Sequence, residues 1–174
     1  MAEDVSAWSQ SAWDVLKNQN VRQIGYVPDA GHTAMINQAI ADVDVEATVL
    51  TTEEEGIGLL AGAWLGGDRG ALLMQSSGVG NCINMLSLTD ACRFPLLMLV
   101  TMRGEWAEFN PWQVPMSKAT EPAFNLMGVK TYRVEVAEDV AETVDAAAGL
   151  AFSGDQAVAV LLGQKLIGKK EWTK

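Results

Sequence analysis

A chain of 174 residues with 49% hydrophobic content can bury one complete core and leaves little room for a second domain. Its 12 Lys and Arg against 22 Asp and Glu give a formal charge of −10, which argues against a nucleic-acid or anionic-membrane surface. A single His and two Cys suggest neither a zinc site nor a disulfide framework, and both thiols, Cys82 and Cys92, are expected to be buried.

No apolar run approaches the roughly 20 residues of a membrane helix. The acidic start Met1-Ala2-Glu3-Asp4 is unlike a signal sequence, so a cytoplasmic location is expected.

In chain order, residues 6–18 read as an amphipathic helix through Trp8, Ala12, Val15 and Leu16, with its tryptophans as packing groups. A short strand over 21–27 runs into Pro28-Asp29-Ala30-Gly31-His32, and a helix follows over about 33–41. Residues 46–50 form a second strand before the stretch Thr51-Thr52-Glu53-Glu54-Glu55-Gly56-Ile57-Gly58, where three carboxylates meet the positive end of a helix dipole. Gly56, Gly58 and Gly62 each weaken that helix by about 1 kcal/mol relative to Ala, so its backbone is expected to be closely approached. Glu53 lies on the side of Ile57 and Leu60, whereas Glu54 projects from the small-residue face near Gly58 and Ala61.

A wholly apolar strand over 71–75 leads into the turn Ser76-Ser77-Gly78-Val79-Gly80-Asn81 and a helix continuing to about Cys92. The most apolar strand, 95–101, is expected at the centre. It is followed by an irregular segment over 102–117, rich in Trp, Pro and Asn, of a length that is usually functional or mobile. A short helix over 119–127, a strand over 130–136, a helix over 140–152 and a strand over 157–162 complete the alternation.

Six strands alternating with helices imply a single-domain, doubly wound α/β fold with a mostly parallel sheet and helices on both faces, spanning 1–174 with its core at about 20–163. Ligands of such sheets sit at the carboxyl ends of the strands. Four loops qualify: Pro28 to His32, Thr51 to Glu55, Gln75 to Asn81, and Met102 to Pro115.

Several chemistries fail on the residues. Gly78-Val79-Gly80 could hold a phosphate on helix amides, yet Ile83 stands where a dinucleotide motif needs its third glycine, and no Walker loop is present. No G-x-S-x-G elbow supports a serine hydrolase. A flavodoxin-like binding module, with no catalytic carboxylate, stays open.

The order Val27-Pro28-Asp29, then Glu-Glu-Glu-Gly-x-Gly-x-x-Ala-Gly-Ala-Trp at 53–64, then Gln75-Ser-Ser-Gly-Val-Gly-Asn, then the apolar strand after Pro95, resembles the pyrimidine-binding half of thiamine diphosphate enzymes. The resemblance covers about 20–163. Within that superfamily, Met-Arg-Gly-Glu-x-x-Glu-x-Asn-Pro-Trp-Gln at 102–113 looks most like the separate alpha subunits of sulfopyruvate decarboxylases and the related phosphonopyruvate decarboxylases.

The resemblance implies a decarboxylase of a 3-substituted pyruvate. In the family pattern E-x9-[YW], counting back from Trp64 selects Glu54 as the acid that bonds N1′ of the aminopyrimidine, with Glu55 as the fallback. A carboxyl in a partly apolar slot can share a proton there and favour the tautomer that activates the thiazolium. Gln75, Ser76 and Ser77 could bond the pyrimidine, and Gly78 and Gly80 let backbone approach, so the cofactor set is Glu54, Gln75, Ser77, Gly78, Val79, Gly80 and Asn81.

Asp29 and His32 are expected near the reacting carbon, as proton carriers or substrate contacts; a helix cap and a surface histidine are the plainer readings. Arg103 suits a carboxylate, sulfonate or phosphonate, with an ion pair to Glu105 or Glu108 as the alternative, and Gln113 is a further substrate candidate. The family's Gly-Asp-Gly motif for the diphosphate and Mg2+ is missing, because Gly67-Asp68-Arg69 and Gly154-Asp155-Gln156 lack the second Gly. The resemblance therefore implies a separate pyrophosphate-binding beta subunit that holds Mg2+, in a hetero-oligomer of two alpha and two beta chains or larger. A noncatalytic interaction subunit that keeps the fold is the other class.

Overall fold

The structure, a computed structural model, describes residues 2–169, with side chains of the first helix described from residue 7. Residues 1 and 170–174 of the expected 1–174 domain lie outside the described residues. Six strands, β1 (Val21–Tyr26), β2 (Glu46–Val49), β3 (Arg69–Gln75), β4 (Leu96–Thr101), β5 (Lys130–Val134) and β6 (Ala157–Leu162), form one sheet in the order β2-β1-β3-β4-β6-β5. Every pairing is parallel.

The strand sequences explain the order. β4 and β6 are buried at all six positions and β3 at five of seven, as continuous apolar runs covered on both faces require. The edge strands β2 and β5 carry the exposed polar positions. Alternation then sorts the side chains: Leu72, Met74, Met98 and Val100 face one core cluster, while Ala71, Leu73, Leu97 and Leu99 face the other.

The second of these layers is α1 (Ala2–Asn18), α2 (Thr33–Ala41) and α7 (Val140–Gly154), where Trp8, Trp13 and Leu16 pack as expected of an amphipathic helix. The other contains α3 (Glu53–Leu65), α4 (Val79–Cys82), α5 (Ser87–Cys92) and α6 (Val114–Leu126), with Ile57, Leu60, Cys82, Leu86 and Phe124 in the core. Among the described residues no helix is long and apolar enough to cross a membrane.

Three expectations need correction. The helix after β3 does not run on to Cys92: a 3-10 turn over Ser76–Gly78, then α4, then a turn capped by Ser87 Oγ on the Asn84 carbonyl at 2.6 Å, divide it. α6 begins at Val114 rather than near Ala119, because Pro115 occupies the first turn, where a missing N–H costs nothing; Pro122 is carried inside it. Cys92 is exposed at the end of α5 and only Cys82 is buried, both as free thiols. A short helix, α8 (Gln164–Ile167), had no sequence signal.

The order places one divergence and one convergence at the carboxyl ends of the strands. From β1 the chain goes outward to β2 and returns on the other side as β3, so the loops after β1 and β3 part. Beyond β4 it passes over the place of β6 to β5, which brings the segments after β4 and β6 together.

The start of α3 is set by a capping box: Thr52 caps the backbone of Glu55, and Glu55 Oε2 reaches back to the Thr51 N–H at 2.8 Å. Glu55→Ala should cost about 1 kcal/mol. The expected result is a fall in thermal midpoint of about 2–4 °C, with Glu55→Gln retaining most of it, measured by calorimetry.

Candidate active site

All four loops named from the sequence meet at this end of the sheet, joined by hydrogen bonds. Thr101 Oγ1 donates to Asp29 Oδ2 at 2.6 Å, tying the end of β4 to the loop after β1. Gln75 Nε2 donates to Ser77 Oγ at 2.7 Å and to Gln113 Oε1 at 3.2 Å, linking the loops after β3 and β4. Asn81 Nδ2 donates to Glu53 Oε2 at 2.8 Å, and the Arg103 N–H to Ser76 Oγ at 3.1 Å. Val27, Pro28, Asp29, Glu53, Gln75 and Ser77 line a cleft at the divergence.

The three glutamates of α3 have three different fates. Glu55 is exposed and spent on the cap, so it does not serve as the fallback acid. Glu53, passed over as a site residue, is only 8% exposed and reaches the cleft. Its position over buried Ile57 and Leu60 was the available signal, since a carboxylate on an apolar stripe needs a partner. Glu54 is half-buried, and its Oε2 is withdrawn from water with no hydrogen-bond partner. Next along its face a Cβ on Gly58 or Gly62 would meet nothing within 4 Å, and Leu65 is 82% exposed. Within this chain the close approach expected of the glycines is met at Gly56, where Leu72 Cδ1 lies 2.5 Å from the place of a Cβ.

In the turn after β3, Gly78 and Val79 are buried, and Gly80 is exposed with Met116 Cε 3.6 Å from the place of its Cβ. Burial, with the charges of Glu53 and Glu54 adding to it, pushes the Cys82 thiol up to about 12, so it is a packing group and not a nucleophile.

Arg103 is 7% exposed and pairs with Glu108 through two bonds of 2.9 Å, from Nε and Nη2. Of the two readings, the ion pair is the one that the structure realises. Burial alone would raise the Glu108 carboxyl, but Arg103, the Asn110 N–H and Gln164 together hold it below its ordinary value. Gln164 is the unforeseen hub: its Oε1 accepts from the N–H groups of Glu105 and Trp106 at 2.8 and 2.9 Å, and its Nε2 donates to Glu108. The segment after β4 is therefore tied down, with Trp112 83% exposed on it.

His32 is not brought to the cleft. It is fully buried, its Nε2 within 3.0 Å of the Leu99 carbonyl and its Nδ1 without a partner, so neither a surface histidine nor a solvent-facing acid or base fits it. Burial pushes its pKa below the ordinary 6.5, against the opposing pull of Asp29 and of backbone acceptors. A lowered folded-state value favours the neutral ring, so stability is complete above about 6.5 and is lost as pH falls through the lower folded-state value. The urea midpoint should drop between about pH 7.5 and about pH 5, and by less in a His32→Gln variant.

No protein-family model matches the chain. Among curated proteins it is 31% identical over 155 residues to the sulfopyruvate decarboxylase subunit alpha of Methanococcus maripaludis, covering 88% of this chain and 93% of that one. The same subunit of Methanocaldococcus jannaschii is 31% identical over 154 residues, covering 88% and 91%. The phosphonopyruvate decarboxylase of Streptomyces viridochromogenes is 35% identical over 114 residues, 65% of this chain but 26% of that longer one. Among solved structures, a 2-oxoglutarate:ferredoxin oxidoreductase from Magnetococcus marinus superposes with a TM-score of 0.71 over 92% of this chain and 29% of its own, at 13% identity, a likeness of fold. Spanning such alpha subunits nearly end to end at this identity, the chain belongs to the sulfopyruvate decarboxylase alpha-subunit family, a family of decarboxylase subunits.

Proposed function

We propose that this chain is the pyrimidine-binding alpha subunit of a thiamine diphosphate-dependent decarboxylase that converts sulfopyruvate to the aldehyde and carbon dioxide. A separate pyrophosphate-binding beta subunit completes the site. The observation that carries the reading is Glu54 Oε2, a carboxylate oxygen withdrawn from water with no donor among the described residues, on a helix face whose next small positions, Gly58 and Gly62, are open. Leaving such an atom unpaired costs about 1–3 kcal/mol, and a ring nitrogen that shares a proton with it removes the cost. The residues present therefore fit the aminopyrimidine.

Thiamine diphosphate, when bound, supplies the thiazolium that takes up the electrons released as carbon dioxide leaves. The chain's own part is to hold and orient. Glu54 would hold the proton shared with N1′ of the pyrimidine. Gln75 and Ser77, already bonded to each other and facing the cleft, offer polar atoms to the ring, with the backbone of Gly78, Val79 and Gly80 and the side chain of Asn81 completing the wall. Asp29, held by Thr101, orients the 2-keto acid or passes it a proton, and Gln113 closes over it through Gln75. Arg103, answered by Glu108, keeps the loop in shape for that closure.

The missing Gly-Asp-Gly motif supports placing the diphosphate and Mg2+ on the partner chain, in an assembly of two alpha and two beta chains or larger. Glu54→Gln in the co-assembled enzyme should lower turnover of sulfopyruvate by about 100-fold or more, with the complex unchanged by size-exclusion chromatography. Unchanged turnover would falsify the catalytic assignment, and full activity of this chain without a partner would overturn the shared site.

A further inference from the structure

Three residues around the turn after β3 are poor local choices. Gly78 has φ −75° and ψ −19°, ordinary right-handed helical backbone that any residue adopts, so its conformation does not require glycine. Asn81 lies within the four-residue helix α4, where asparagine is a weak former. Glu53 buries a carboxylate, although Glu55 already caps α3.

One contact explains all three. A Cβ on Gly78 would stand 2.2 Å from both Oε1 and Cδ of Glu53, so the carboxyl group fills the space that any larger residue needs. Oε2 of the same group accepts the 2.8 Å bond from Asn81, a charge-assisted bond that offsets its burial. We infer that Glu53 is the positioning residue of this site: it bolts the turn after β3 to the first turn of α3, fixing Gln75 and Ser77 relative to Glu54. This deepens the proposed function and rests on it only where the cofactor enters. Glu53 touches no reacting atom in this role, and the shape of its side chain and its bond to Asn81 matter more than its full charge.

Amide hydrogen exchange on the full chain alone tests the clamp. Glu53→Ala should speed exchange across residues 75–82 by about tenfold, and Glu53→Gln, which keeps an oxygen for Asn81, by less than about threefold. Gly78→Ala, which must push the Glu53 carboxyl aside, should match Glu53→Ala. The double variant should be no worse than either single one, because both break the same contact. In the complex with the partner subunit, the dissociation constant for thiamine diphosphate should rise about tenfold in Glu53→Ala and much less in Glu53→Gln, with much smaller changes in kcat at saturating cofactor. Unaltered exchange in Glu53→Ala, additive single variants, or a Glu53→Gln as damaged as Glu53→Ala overturns the inference. Loosened exchange with unaltered cofactor affinity overturns the positioning role. A wild-type complex that takes up no thiamine diphosphate sinks the proposed function, while the exchange data still judge the clamp.

Discussion

Taking a carboxylate out of water is costly, and the first turn of α3 does so twice, with opposite outcomes. Glu53 is compensated by Asn81, across the turn that leads into α4. Oε2 of Glu54 has no partner among the described residues. A helix that needed only acidic residues at its positive end would leave both in solvent, as Glu55 is left while it caps. Gly78 makes room for the Glu53 carboxyl, while Gly58, one turn on from Glu54, leaves its face of the helix open.

Topology supplies the place. With β1 leading outward to β2 and β3 returning on its other side, no crossover covers the gap between their ends, and α3 starts beside it. The cleft is thus a consequence of strand order, and strand order follows from which strands are apolar throughout. β3, β4 and β6 must be interior, and only the more polar β2 and β5 can tolerate an edge.

Much of this was legible in the residues. The apolar runs at 71–75 and 95–101 marked the central strands, and the alternation of strand-like and helical segments gave the other four. The rule for doubly wound sheets picked the four loops that the hydrogen bonds join. The failures share a cause, which is that the deciding partner lies far along the chain. His32 follows Pro and Gly as a loop residue would, but a carbonyl on β4, at Leu99, holds it inside. Glu53 reads as one of three helix-start acids until Asn81, 28 positions later, is seen to meet it. Gln164 has no local signature at all, since its worth lies in bonding residues nearly sixty positions earlier. Arg103 differs: its partner Glu108 is five residues away, so the ion pair could be listed beforehand as one of two readings.

The long segment after β4 shows why composition misleads about order. Its Trp, Pro and Asn content and lack of periodicity suggest mobility, yet it is held by side chains rather than by regular backbone bonds. Glu108 gathers Arg103, the N–H groups of Gly104 and Asn110, and Gln164, while Gly104 at φ +83° turns the chain so closely that a Cβ would lie 2.5 Å from the Gln113 carbonyl oxygen. The charge of Arg103 is consumed in that framework, which leaves Asp29 and Glu53 as the ionisable groups lining the cleft. This chain's wall of the site therefore carries acidic groups, the polarity that suits a cationic heterocycle. An acidic wall and the lack of a diphosphate motif both agree with the proposed division of labour, in which a separate subunit would supply the positive groups for the anionic parts.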